Sequence, residues 1–315
     1  MKSIGQISNL RRQTNNHFAL FFNQLFLERN RLQGNIIKFP ELTCQKEINM
    51  YATLTTLVDR LESHEMYQTS VISWSSPVPS FGNLSNSLVA TLGLNPSNRE
   101  FVDEYGEELD GEMRRFHTLK SLGLESWIEA DTRHLEMIMD SCYGYFFVNP
   151  YDRWFKKLDK VLQGTFTSYY DAKRSACHLD LIPYATEQKW AELSRQQRSK
   201  LQKIAGDALG LLLRESPIRV LILNGQSVVE KFEEIADIQL NNQEISSWAL
   251  PRKSTPDVRG IAYFGRIDRF SDIELKNEIL VLGFNHNIQS SFGVTNKVIH
   301  SIRDWIAGVA NGVLD

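Results

Sequence analysis

The sequence is poor in cysteine, and that alone removes several classes of protein. Cys44, Cys142 and Cys177 stand far apart among 315 residues, with no C-x-x-C pair. Neither a disulfide framework nor an iron–sulfur cluster is expected, and the three read as buried thiols. Long hydrophobic runs are missing too. No stretch approaches the roughly 20 apolar residues of a bilayer span. The opening Met1-Lys-Ser-Ile-Gly-Gln6 lacks the apolar core of a signal peptide. The expectation is a cytoplasmic protein with no membrane partner. Net charge is also small, at −3. That argues against a generically basic protein, although a local basic face suffices for phosphate contacts. Candidate faces are Arg11 and Arg12, Lys156 and Lys157, Lys173 and Arg174, Arg195 to Lys203, and Arg252 and Lys253, each of which taken alone reads first as solvated surface. There is no internal repeat and no low-complexity segment.

What is present is enough apolar residue, 42% of the chain, for a sizeable core. Residues 1–70 read as a helical extension or cap. His17 to Arg31 and Ile48 to Leu61 carry apolar residues at helical spacing, separated by Pro40. Ser75-Ser-Pro-Val-Pro-Ser-Phe-Gly82 breaks regularity, and residues 71–315 then read as an α/β domain. Leu88-Val-Ala-Thr-Leu-Gly-Leu-Asn-Pro-Ser97 is a buried strand that stops abruptly in a polar turn. Three later segments repeat that form: Ala176 to Pro183, Arg219 to Gln226, and Glu278 to Asn287. Helical patterns at Tyr151 to Leu162, Trp190 to Leu213 and Val228 to Ile235 separate them, and Asn296 to Val309 closes the chain. Such alternation signals a parallel sheet with helices on both faces. A short hairpin-like piece, Gly260 to Ile267, precedes the last strand. Ligands of such sheets bind beyond the carboxyl ends of the strands, which places Asn95 and Ser97 at the mouth of a site.

The four strand ends, Gly-Leu-Asn-Pro-Ser, Leu-Asp-Leu-Ile-Pro, Leu-Asn-Gly-Gln and Phe-Asn-His-Asn in that order, resemble the uracil-DNA glycosylase superfamily over residues 75 to 310. The resemblance implies a four-stranded parallel sheet flanked by helices and a metal-independent, cofactor-free hydrolysis of an N-glycosidic bond in DNA. Gly93-Leu-Asn-Pro-Ser97 looks like the Asn-containing first motif of the mismatch-specific and single-strand-selective branches. Asn95 would position the attacking water while Gly93 and Leu94 border the base. An amide cannot accept a proton as a carboxylate does, so an additional carboxylate is expected. Glu100 and Asp103 are the candidates, readable also as the acidic first turn of a helix. The matching positions contain no lysine nucleophile, which implies a monofunctional enzyme.

Two departures from the family pattern point to the substrate. Ser97 stands where the uracil-specific branch has a tyrosine that closes the space beside C5, so a bulky 5-substituent fits. Asp180 stands where an asparagine reads uracil. An ionised carboxylate only accepts hydrogen bonds, which suits the exocyclic amine of cytosine and repels the O4 of uracil. The expected substrate is DNA with a 5-modified cytosine, such as glucosylated hydroxymethylcytosine in phage DNA targeted in bacterial defence. At the second motif either His286 or Asn285 donates to the base. Asn287, Ile288, Gln289, Ser290 and Ser291 are expected at the DNA, and Thr295 and Asn296 either there or capping the last helix. Base flipping needs an aromatic platform and an apolar wedge. Phe116 is the candidate platform, with Phe101 and Tyr145 as substitutes, and Ile288 or Phe292 the wedge. Two other functions stay open: excision of uracil or a mismatched pyrimidine, and a non-catalytic nucleotide- or DNA-binding module.

Overall fold

The structure is a computed structural model that describes residues 41–314, with side chains from residue 49. The expected helix His17 to Arg31 lies outside the described residues. The chain divides into two units, 1–52 and 53–315, and the sheet and cleft belong to the second. Among the described residues no helix is long and apolar enough to cross a membrane.

In chain order the main elements are α1 (Glu41–Leu61), β1 (Val89–Gly93), α2 (Thr132–Val148), α3 (Asp152–Leu162), β2 (Ala176–Asp180), α4 (Arg195–Ala205), α5 (Ala208–Arg214), β3 (Val220–Asn224), α6 (Gln226–Ala236), β4 (Asn241–Glu244), β5 (Ile261–Phe270), β6 (Ile273–Phe284) and α7 (Asn296–Leu314). The four-stranded parallel sheet expected from the sequence needs correction. The sheet has six strands in the order β2-β1-β3-β6-β5-β4 and is mixed. Its parallel part, β2-β1-β3-β6, is built from the four apolar runs, whereas β5 runs antiparallel to β6 and β4 antiparallel to β5.

The runs became buried strands: every residue of β1, β2 and β3 is buried, a demand that only apolar or internally bonded side chains satisfy. Helices cover both faces. Against one, Val89, Val220, Ile222, Leu280 and Leu282 pack with Phe155 and Leu158 of α3 and with Ile302 and Ile306 of α7. On the other, Val229 of α6 lies against β6 at Gly283. The single helix expected over Trp190 to Leu213 is two helices, α4 and α5, interrupted at Gly206 and Asp207. Asp207 makes paired hydrogen bonds of 2.7 Å to the Arg60 guanidinium. The hairpin is longer than expected: β5 and β6 join through Ser271 in a left-handed conformation, φ 51°.

Alternation sets the site. Thr91 pairs with His178 and with Ile222, and Gly93 with Asp180. With a period of two, Gly93, His178, Asp180 and Asn224 therefore share one face at the carboxyl edge of the sheet. The turn after β3 is tight. Gly225 has φ 103°, and an added Cβ would sit 3.2 Å from Asn287 Cα. Gly225→Ala is expected to cost about 1–3 kcal/mol and to lower Tm by several degrees in a thermal melt monitored by circular dichroism.

Candidate active site

A cleft of about 710 Å³ opens at the carboxyl ends of β1, β2, β3 and β6. Ligand sites of roughly 300–1,000 Å³ are typical, and this position is the general one for such sheets. The first-motif turn forms one wall. Asn95 lines the cleft and is half-buried. Its Nδ2 donates to the Tyr184 carbonyl at 3.3 Å and to Thr186 Oγ1 at 3.0 Å. Thr186 gives its own proton to the Gln188 carbonyl at 2.6 Å. These two partners and the Pro96 carbonyl, 3.2 Å from Nδ2, are all acceptors, which fixes the orientation of the amide. Oδ1 keeps no partner among the described residues and remains available to accept from a water. Gly93 and Leu94 line the cleft as well. Ser97 is exposed at its rim, where Oγ accepts from the Arg99 N–H at 3.2 Å.

Asp180 ends β2, is 3% exposed and lines the same cleft. Its Oδ1 lies 3.5 Å from His178 Nε2. His178 Nδ1 is 2.7 Å from Thr91 Oγ1, which bonds in turn to the Tyr169 hydroxyl. Tyr169, Thr91 and the Nδ1 edge of His178 thus form one buried hydrogen-bonded chain, and the Nε2 edge of the ring faces Asp180. The ring of His178 is enclosed by Trp154, Phe81 and Phe155, with centroids 5.0, 5.4 and 5.4 Å away.

Glu100 is the second carboxylate of the cleft, and Asp103 is not one. Asp103 accepts from the Tyr105 and Glu107 amides in an exposed turn. Glu100 is 3% exposed, accepts from Tyr145 Oη at 2.9 Å, and lies 3.8 Å from Arg115 Nε. Burial raises its carboxyl to about 7, Arg115 and the Tyr145 hydrogen bond oppose this, and the charge of Asp180 adds to it. A group that exchanges a proton near neutrality is therefore held in the cleft wall.

The second motif is arranged differently from the expectation. His286 is 2% exposed and its Nε2 meets the Trp248 carbonyl at 2.7 Å. It is not among the residues lining the cleft, and burial lowers its pKa. Asn285 does line the cleft, but its side chain is used at both ends: Nδ2 donates to the Arg259 carbonyl and Oδ1 accepts from the Ile261 amide. Asn287, Ser290 and Ser291 line the cleft. Asn287 Oδ1 accepts from the Gln289 and Ser290 amides, each at 3.0 Å. Gln289 accepts from Asn224 Nδ2 at 2.8 Å and so ties this loop to β3.

Phe116, Phe101 and Tyr145 are each 1% exposed and belong to the core, with Phe116 stacked on Tyr145. The aromatic rings at the cleft are instead those of Phe81, Tyr151, Trp154, Phe155 and Trp190. Ile288 is 2% exposed, whereas Phe292 is 81% exposed on the same loop, beneath the Arg252 guanidinium.

Sequence reasoning missed His178 and Asn224. The signal for His178 was its spacing of two from Asp180, which puts both on one strand face. Among the described residues no group of three or more His, Cys, Asp or Glu is placed to hold a metal ion. No protein-family model matches the chain, and no curated protein matches its sequence.

The raised carboxyl of Glu100 has a stability consequence. The folded state keeps this proton between about 4.5 and about 7, so the contribution to stability is full below the lower value and is lost as pH rises through the upper one. Glu100→Gln removes that loss. Its stability relative to the parent chain, measured by urea melts, is expected to improve by roughly 2–4 kcal/mol between pH 5 and pH 8. An unchanged difference across that range would contradict the assignment.

Proposed function

We propose that the chain is a monofunctional DNA glycosylase of the uracil-DNA glycosylase type, which hydrolyses the N-glycosidic bond of a flipped-out, 5-modified cytosine. The observation that carries this reading is the anchored amide of Asn95, its Oδ1 unpartnered, in one cleft with the buried carboxylate of Asp180. Bond breaking develops positive charge on the sugar and negative charge on the base, and the water must attack C1′ from one side. Asn95 orients that water. Glu100, with its proton affinity near neutrality, accepts the proton that an amide cannot take.

Asp180 accepts from the exocyclic amine of cytosine, with the Nε2 edge of His178 3.5 Å from the carboxylate. The same carboxylate repels the O4 of uracil. Trp154, half-buried at the cleft, offers the apolar surface for stacking in place of Phe116. The exposed Ser97 rim and the size of the cleft leave room for a 5-substituent, a glucosylated hydroxymethyl group included. Phe292, exposed on the loop that follows β6, is the wedge that fills the vacated stack.

The test is alkali-induced strand cleavage of oligonucleotides that carry cytosine, 5-hydroxymethylcytosine, its glucosylated form or uracil. Cleavage at a modified cytosine is expected. Asn95→Ala should slow it by about 100-fold or more, and Asp180→Asn by about 10- to 100-fold. Cleavage at uracil alone would keep the reaction and overturn the role of Asp180. Intact strands throughout, with tight binding retained, would replace the enzyme by a binding module.

A further inference from the structure

A second concavity, of about 500 Å³, lies between α4 and α6 and is lined by Arg195, Arg198, Ser199, Gln202, Lys231 and Glu234. Arg195, Arg198, Ser199 and Gln202 are spaced i, i+3, i+4 and i+7, so they form one face of α4. Lys231 and Glu234 share a face of α6 for the same reason. That face of α6 continues into the cleft, because Ser227, one turn before Lys231, lines the cleft. Lys189, Trp190 and Ala191, just ahead of α4, line the cleft too. The groove is therefore reached from the cleft along two walls, each continuous in sequence.

Its charge is unbalanced. The three cations face one carboxylate, Glu234, which is already engaged by Lys231 and by Gln202 Nε2 at 3.3 Å. Neither Arg195 nor Arg198 forms an ion pair with a described residue, and Arg198 is half-buried. A partly desolvated guanidinium without a counter-charge is unfavourable unless a ligand supplies the anion. The planar fork of arginine suits phosphate oxygens in a bidentate contact. Arg195 and Arg198 stand one helical turn apart, about 5–6 Å between Cβ atoms, a separation suited to neighbouring phosphates of one strand.

We propose that this groove binds the phosphodiester backbone of the DNA strand that flanks the nucleotide in the cleft, with Arg195, Arg198 and Lys231 as the phosphate-contacting residues. The inference rests on the glycosylase reading for its ligand, and it adds a path for the strand that the cleft alone does not define. Ser199 and Gln202 supply uncharged donors along that path, as is common at sugar–phosphate backbones. Glu234 marks its far end, where its charge repels the next phosphate.

The test is fluorescence anisotropy of a labelled oligonucleotide containing one 5-hydroxymethylcytosine, titrated with the full chain from 50 to 300 mM salt. The parent chain is compared with Arg195→Gln/Arg198→Gln, and with Lys173→Gln/Arg174→Gln as a charge-matched control on another basic pair. Loss of two phosphate contacts predicts at least a 10-fold weaker Kd at the lowest salt. It also predicts that the slope of log K against log salt becomes shallower by about 2, while the control changes neither. A general loss of folding would show in Tm and would not alter the slope alone; Arg195→Lys/Arg198→Lys, which keeps the charge, is expected to restore the slope. Binding and slope equal to those of the parent chain would overturn the groove while leaving the cleft reading intact. Equal losses in the control pair would overturn it as well, because the effect would then be one of net charge. Absence of DNA binding by the parent chain would overturn both readings together.

Discussion

The arrangement depends on how closely β1 and β2 approach at their carboxyl ends. Gly93 pairs with Asp180, and a Cβ on Gly93 would lie 2.4 Å from Asp180 Oδ1 and 3.0 Å from His178 Nε2. Only a residue without a side chain leaves room for both groups on that face. The absence of one atom thus lets a carboxylate and an imidazole stand beside the amide of Asn95, two residues further along. The parallel register carries the effect outward, because Asn224 occupies the same face of β3 and fastens the loop after β6 through Gln289 and Ile288.

Electrostatically the cleft wall is costly. Asp180 and Glu100 are both 3% exposed, and the charge of Asp180 adds to the burial that raises the Glu100 carboxyl. The protein meets this cost unevenly. Asp180 has the Nε2 edge of His178, backed by Thr91 and Tyr169, whereas Glu100 has the Tyr145 hydroxyl and a guanidinium at 3.8 Å. Burial dominates at Glu100 and holds it at the edge of protonation. Asp180 stands in the cleft while Glu100 exchanges a proton near neutrality, the two roles that the proposed base release would use.

The central strands were legible because a strand covered on both faces must be apolar throughout, and a run such as Val89 to Leu92 then ends visibly at Asn95. β4 was not legible. Its residues Asn241–Glu244 are all exposed, and they join the sheet through backbone pairing with β5. The first half of β6 escaped for a related reason, since its side chains alternate between half-buried and exposed before the buried Ile279 to Phe284 begins. That the strand ends line one cleft was legible, whereas side-chain directions in turns were not. Nothing in Asn-His-Asn says that the imidazole turns to the Trp248 carbonyl or that the Asn285 amide is taken up by Arg259 and Ile261. Phe116 and Phe292 were indistinguishable as aromatic residues in polar surroundings, yet one is stacked in the core and the other stands 81% exposed. The helix α2 carries Leu135, Ile138, Met139 and Cys142 at i, i+3, i+4 and i+7, a stripe that the sequence reading passed over, while Phe147 and Val148 at its end stay exposed.

The most direct measurement is mass detection of small molecules released when the chain is incubated with DNA containing a 5-modified cytosine. The account predicts free base with its 5-substituent intact, in equal number to the abasic sites formed. Retention of every base on its sugar, in DNA that the chain demonstrably binds, would contradict it.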